Sequence, residues 1–254
     1  MTKVLAITQA RSGSTRLPAK VFKEIQGKKL LALHIERAKQ SRLIDVFHVA
    51  TTTSENDAAI VELATECGVP SSRGSEDNVL DRYYQAAVTY QPEWVVRVTS
   101  DCPLVDPKLI DEVIQYAFDH DADYCANTLI EAYPDGQDIE VFRFSALEKA
   151  WKEAELASDK EHVTPFIKRN SDFNGGRLFK AVNYPCDGNY NKVRMCVDEP
   201  IDLEVMSKLI ELEGLDKDWL TYTKTYLDNE EIRSLNENIT RNEGYLKSLK
   251  EDTK

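Results

Sequence analysis

Cysteine and histidine are few in this chain, and neither is spaced as a set of metal ligands. The 254 residues hold five cysteines and four histidines. Cys67, Cys102, Cys125, Cys186 and Cys196 form no C-x-x-C pair, which excludes a zinc ribbon or a thioredoxin-type redox motif. An odd count without a secretory signal implies reduced, mostly buried thiols. His34, His48, His120 and His162 are too scattered for a zinc set. Long apolar runs are also missing. Nothing approaches the length that crosses a bilayer, and Met1-Thr-Lys3 leads straight into a strand-like run. The expectation is a cytoplasmic protein without a membrane partner. Excess positive charge is absent too. A net charge of −12 excludes a general nucleic-acid binder, which needs a basic face to release counterions. It leaves room for a small anion held by local cations.

What the chain does have is alternation of short apolar runs with amphipathic stretches. Residues 4–7, 46–50 and 94–98 read as buried strands. Residues 56–67 and 77–90 read as helices, the second opened by an acidic residue suited to a helix N-terminus. Asp106-Pro107 starts a further helix, with Leu109, Ile110, Val113, Ile114 and Ala117 on one stripe. Beyond Tyr124 the pattern is mixed: strands at 139–143, 178–184 and 192–197, helices at 145–156 and 159–169, and a helix from Asp198-Glu-Pro through Leu212. This order predicts an α/β fold, a mostly parallel sheet covered by helices on both faces. A single domain over 1–254 is expected. Within it lie a substrate or dimerisation subregion at about 124–190 and a polar C-terminal helix or tail at about 238–254.

In such sheets ligands bind beyond the carboxyl ends of the strands. Two charged segments fall there. Gln9-Ala-Arg-Ser-Gly-Ser-Thr-Arg-Leu-Pro-Ala-Lys20 follows the first strand and packs Arg11, Arg16 and Lys20 with hydroxyls and Gly13 into one loop. Such a loop offers charge, a guanidinium fork and close backbone approach to a polyphosphate, although it is neither a P-loop nor a G-x-G-x-x-G fingerprint. The alternative for this loop is a solvated turn. Asp101 follows the strand at 94–98 and is placed to hold a divalent cation; Asp106 fits the cap of the next helix better. Asp198 repeats the arrangement and could converge with Asp101 on one metal, or simply cap its helix. Arg73, Gly74 and Ser75 could shape a base or ribose pocket, with Arg82 reaching an anion. Gln137, Asp138 and Glu140 lie in a polar loop feeding a strand, suited to a polyol or to an ordinary Pro-Asp-Gly turn. His162 reads as a ligand contact or an exposed residue, and Lys168 and Arg169 as solvating a helix end.

Together these segments resemble the SpsF-type cytidylyltransferases, relatives of the CMP-Kdo and CMP-sialic acid synthetases. The resemblance runs from Lys3 to Leu212. It rests on the loop at 9–20, Arg73-Gly-Ser-Glu-Asp-Asn-Val-Leu-Asp-Arg-Tyr-Tyr84, Arg97-Val-Thr-Ser-Asp-Cys-Pro-Leu-Val-Asp106, Glu161-His-Val-Thr-Pro165 and Val197-Asp-Glu-Pro-Ile-Asp-Leu203. It implies a Rossmann-like nucleotidyltransferase fold that condenses CTP with a sugar acid, releases pyrophosphate, and uses Mg²⁺. Arg11, Ser14, Arg16 and Lys20 match the family's CTP-phosphate loop, with Ala10 just before them and Ser12 and Gly13 between them. Asp101 and Asp198 match the two metal aspartates. The resemblance also suggests a homodimer. The sugar-acid segment does not match the Kdo or sialic acid enzymes closely, so a sugar phosphate or another phosphorylated alcohol stays open as acceptor. A nucleotide-sugar glycosyltransferase is disfavoured because Ser100-Asp101-Cys102-Pro103 has no Asp-x-Asp.

Overall fold

A computed structural model describes residues 3–252. The terminal residues of the expected single domain and of its C-terminal tail, 1–2 and 253–254, lie outside the described residues. In chain order the strands are β1 (Val4–Gln9), β2 (Glu24–Ile25), β3 (Lys28–Lys29), β4 (Val46–Thr52), β5 (Ser71–Gly74), β6 (Trp94–Arg97), β7 (Tyr124–Ala126), β8 (Glu140–Arg143) and β9 (Ala181–Asn183). The helices of the first half are α1 (Leu30–Ala38), α2 (Ala58–Glu66), α3 (Val79–Tyr90) and α4 (Pro107–Asp119). Those of the second are α5 (Phe144–Glu153), α6 (Ala157–His162), α7 (Pro165–Arg169), α8 (Pro200–Glu213), α9 (Trp219–Asp228), α10 (Glu230–Asn236) and α11 (Glu243–Glu251). Among the described residues no helix is long and apolar enough to cross a membrane.

Seven strands form one sheet in the order β5-β4-β1-β6-β8-β7-β9. β5, β4, β1 and β6 run parallel, β8 is antiparallel to both its neighbours, and β9 is parallel to β7. The two-residue period of the strands divides the core. Val4 and Ala6 of β1 join one buried cluster with Leu31, Ile60 and Ile110, so α1, α2 and α4 cover that face. Leu5 and Ile7 join the opposite cluster with Leu80, Tyr83 and Leu147, under α3 and α5. A third cluster packs α8, α9 and α10 against Val193, Met195 and Val197. The mostly parallel, helix-covered sheet expected from the sequence is therefore present.

Several boundaries differ from expectation for identifiable reasons. The helix expected from Asp77 starts later, because the side chain of Asn78 accepts from Asp81 N–H and is the cap. The helix expected over 159–169 is two short ones. Pro165 has no N–H to donate to the carbonyl a turn earlier, and Val163 takes φ 72° at the break. The strand expected at 178–184 shortens to β9. Of the segment 192–197, Lys192 is an exposed turn residue and 193–197 are buried without forming a ladder; there is one isolated bridge, Asp135 to Arg194, and the segment packs against α8. β5, β7 and α1 had no reading in the sequence. The expected polar surface helix near the C-terminus is α11, exposed along most of its length and attached to α6 where Ser248 is buried and donates to Glu161 (2.6 Å).

Candidate active site

The loop after β1 is tied down before it meets any ligand. Ala10 N–H donates to Ala50 O, continuing the ladder, and Ser12 donates from both N–H (2.8 Å) and Oγ (2.6 Å) to Asp57. Asp57 also accepts from Thr52 Oγ1. Burial opposes its ionisation, but these hydrogen bonds outweigh it and hold the carboxyl below its ordinary range. Ser12 is therefore an anchor of the loop, and its hydroxyl is engaged in the fold. Ser12 O in turn accepts from Ser14 N–H and Ala19 N–H, which curls the loop back. Ala19 sits in the left-handed region at φ 55°, an uncommon conformation for a residue with a Cβ, and starts the turn carrying Lys20. A Cβ on Gly13 would lie 3.6 Å from Glu76 Oε1, an ordinary contact at an ordinary φ. The fold alone does not demand glycine there.

Asp101 and Asp198 come from different parts of the chain and converge. Val197 N–H donates to Asp101 O (2.8 Å), which ties the two backbones together. The turn at Asp198 is held by Asp202, buried at the start of α8. Its Oδ2 accepts from Asp198 N–H (3.0 Å) and Glu199 N–H (2.9 Å), and it accepts two further bonds from the buried Arg194. Glu199 and Asp202 form a capping box. Asp198 is thus relieved of the capping role and its carboxylate faces the loop. The Lys20 ammonium bridges the pair, 2.8 Å from Asp101 Oδ2 and 2.7 Å from Asp198 Oδ1, and also donates to Val197 O. Burial disfavours that charge, but the two carboxylates outweigh it and raise the ammonium above its ordinary value. Burial likewise opposes ionisation of Asp101, and Lys20 more than offsets it. Arg16 reaches Asp198 (3.1 Å), Glu199 (3.5 Å) and Glu243 of α11 (3.4 Å). Arg11 is half exposed beside Glu76.

A cleft of about 1260 Å³ opens over this group. Its walls include Arg11, Ser14, Arg16 and Lys20 of the loop, Asp101, Asp198, and Arg82. Lys160, Glu161 and His162 of α6, with Lys247 of α11, line it farther on. Arg82 donates to Ser75 O and Glu76 O, while its Nε has no hydrogen-bond partner among the described residues. Of Arg73, Gly74 and Ser75, expected on the nucleotide side, Gly74 and Ser75 lie against that arginine, none of the three lines the cleft, and Arg73 is tied to β4 and the turn after it. Arg73 donates to Thr52 O (2.9 Å) and Ser54 O (2.6 Å), and a Cβ on Gly74 would meet Arg82 Cγ at 3.0 Å.

The polar segment expected to hold the second substrate is mostly internal. Gln137 is fully buried; it donates to Leu104 O and accepts from Asp106 N–H, bracing the loop that carries Asp101. Asp138 accepts from Arg241 (2.6 Å). Glu140 is buried and accepts from Tyr124 (2.6 Å), Thr164 (2.6 Å), Lys168 (2.7 Å) and Arg97. Lys168 and Arg169 do not merely solvate a helix end, since Arg169 pairs through both nitrogens with the buried Asp159. His162 does face the cleft, with Nε2 3.0 Å from Ser248 Oγ. Among the residues that sequence reasoning passed over, Asp57, Arg97 and Arg194 matter most. An arginine inside an apolar strand, as in Trp94-Val-Val-Arg97, was the available signal, because a buried cation demands a buried anion.

The donors around Lys20 suit a hard divalent cation. They are carboxylate oxygens, and an ammonium already stands between them as a cation. Burial pushes the adjacent Cys102 thiol well up, so it stays protonated and offers no soft ligand. The mostly parallel, helix-covered sheet is the Rossmann-like fold of the nucleotidyltransferases. The family model for cytidylyltransferases matches residues 5–236, and the chain belongs to that family. It is a CTP-dependent cytidylyltransferase. An uncharacterized protein of Methanocaldococcus jannaschii is 38% identical over 244 residues, covering 93% of this chain and 96% of that one. The spore coat polysaccharide biosynthesis protein SpsF of Bacillus subtilis is 31% identical over 227 residues, covering 84% and 89%. The structure of a cytidylyltransferase from Leptospira borgpetersenii superposes with a TM-score of 0.85 at 30% identity, covering 94% of this chain and 99% of that one.

Proposed function

We propose that the chain condenses CTP with a sugar acid of the 2-keto-3-deoxy or nonulosonic type, forming a CMP-sugar and pyrophosphate for a surface polysaccharide or glycan. The observation that carries this reading is the convergence of Asp101 and Asp198 on one cation beside the Arg11–Arg16–Lys20 loop. A sugar hydroxyl attacks the α-phosphorus of CTP in line; the new O–P bond forms as the bond to the β-phosphate oxygen breaks. The hydroxyl proton is released and pyrophosphate departs. Arg11, Arg16 and Lys20 bind and orient the triphosphate and offset the charge that develops on the leaving group, which is what such a displacement mainly requires. Asp101 and Asp198 would hold Mg²⁺, which supplies charge neutralisation at the reacting phosphate when bound. Ser14 and Arg82 line the nucleotide side, and Lys160 and His162 the far side where the acceptor enters. The polysaccharide context is supported by the likeness to SpsF, and a reaction that consumes CTP is consistent with the cytoplasm.

The subregion at 124–190 leaves Ile130, Phe173 and Leu178 exposed at 58%, 42% and 48%. Apolar side chains left in water there support the homodimer reading, and light scattering that returned a monomer at working concentration would contradict it. The catalytic reading is tested by a pyrophosphate-release screen with the four nucleoside triphosphates, Mg²⁺ and panels of sugar acids and sugar phosphates. Release with CTP and a sugar acid is expected. Release only with sugar phosphates would overturn the acceptor class.

A further inference from the structure

We propose that Lys20 acts as the resident counter-cation of the metal site, so that a divalent ion enters only when a nucleotide phosphate draws the ammonium away. This rests on the metal-site reading above and adds an order of events to it. Lys20 Nζ lies 2.8 Å from Asp101 Oδ2 and 2.7 Å from Asp198 Oδ1, on the two oxygens that face each other across the gap. One oxygen lone pair cannot serve the ammonium and a metal at the same place, so the two cations compete for it.

The surroundings make the exchange feasible. Without a cation the two carboxylates would repel each other in a partly buried setting, which is costly. Arg16 and Arg194 both approach Asp198, but through Oδ2, leaving Oδ1 to Lys20. Arg194 is committed to Asp202 and Asp135, so it cannot take over the gap. Lys20 stands on a flexible four-carbon stem at the start of a short turn, in the same loop as Arg11 and Arg16, and its side chain is a wall of the cleft. A triphosphate bound along that loop places anionic oxygens within the sweep of the stem. The ammonium can then exchange carboxylate partners for phosphate partners without ever lacking an anion, and its departure exposes Oδ2 of Asp101 and Oδ1 of Asp198. The site thereby discriminates against free metal and favours metal arriving with nucleotide.

The test is Mn²⁺ binding to the nucleotide-free protein, followed by electron paramagnetic resonance. Wild-type protein should bind Mn²⁺ weakly. Lys20→Met should bind it at least about tenfold more tightly, because the competing charge is gone. The same substitution should raise the KM for CTP by about tenfold or more, since a charge-assisted phosphate contact is lost. Lys20→Gln keeps donors toward both carboxylates without the charge and should show the same gain, which covers failure of the methionine variant to fold. Lys20→Arg keeps the charge and should show none. Adding Asp101→Asn to either neutral variant should abolish the gain. Unchanged or weakened Mn²⁺ binding in the folded neutral variants would overturn the proposal, as would a gain that survives Asp101→Asn. The Mn²⁺ binding readouts do not depend on turnover. Failure of the acceptor reading shows in the pyrophosphate screen instead, and failure of the metal-site reading shows as nucleotide-dependent Mn²⁺ binding indifferent to Asp101.

Discussion

Two carboxylate clusters stand near the cleft and differ in one respect that separates chemistry from architecture. Glu140 accepts from Tyr124, Thr164, Arg97 and Lys168, and only 3% of its side chain is exposed. Every direction around it is filled by a donor that belongs to the fold. Asp101 and Asp198 share the Lys20 ammonium, with Arg16 and Arg194 reaching Oδ2 of Asp198, and their side chains are 25% and 21% exposed. The first cluster is closed, and removing any member leaves an uncompensated charge in the interior. The second is open, and its cation is exchangeable for another of suitable size. In the sequence Asp101 and Asp198 were metal candidates after strands, and Glu140 was a candidate polyol ligand in a polar segment. What distinguishes them is access: Lys20, Asp101 and Asp198 line the cleft, and Glu140 does not.

Asp101→Asn should sharpen the contrast most. It removes charge from the open cluster and should lower pyrophosphate release by about 10²–10³-fold, the range seen when one transition-state electrostatic contact is lost, with the melting temperature nearly unchanged. Near-normal turnover would remove Asp101 from the metal site. Glu140→Gln should do the reverse. It leaves Arg97 and Lys168 unneutralised and should cost about 3 kcal/mol or more of stability in denaturant titration. Burial opposes ionisation of Glu140, yet Lys168 and Arg97 together hold its carboxyl far below the ordinary value near 4.5. Its contribution is therefore present above that pH and is lost as pH falls below it, so the wild-type protein should lose stability on acidification more steeply than Glu140→Gln. Equal acid sensitivity in the two proteins would contradict the closed-cluster account.

A smaller effect comes from the sheet itself, away from both clusters. His48 is held between Tyr90 and Ser72, and burial lowers its pKa from 6.5 to about 4. A base depressed in the folded state favours folding above its unfolded value, so this part of the stability is complete above pH 6.5 and declines as pH falls through about 4. His48→Gln should flatten the stability curve between those limits by about 1–2 kcal/mol at the acid end. A parallel curve for the variant would show that His48 titrates normally.

The open cluster was largely legible in the sequence and the closed one was not. The loop at 9–20, Asp101 and Asp198 carry their chemistry in residue type and in position after apolar runs. The sheet brings the loop and Asp101 together because parallel strands share one carboxyl edge. Even there the reason was partly missed: 192–197 is not a strand, and a hydrogen bond from Val197 N–H to Asp101 O is what sets the two aspartates side by side. Gln137 and Glu140 looked like ligands of a polyol because polar residues cluster in that segment. Their partners, Leu104 O, Asp106 N–H, Arg97 and Lys168, are remote in sequence or on other elements, and no local pattern announces them. The docking of α11 on α6 was hidden for the same reason. A polar amphipathic helix reads as surface until a cleft-side partner such as Glu161 is found for Ser248.

The most direct measurement is anomalous diffraction from crystals of the protein grown with Mn²⁺ and CTP. The account predicts one Mn²⁺ peak between Asp101 Oδ2 and Asp198 Oδ1, with Lys20 Nζ moved onto phosphate oxygens beside Arg11 and Arg16. A peak elsewhere, with Lys20 still bridging the two aspartates while CTP is bound, would contradict it.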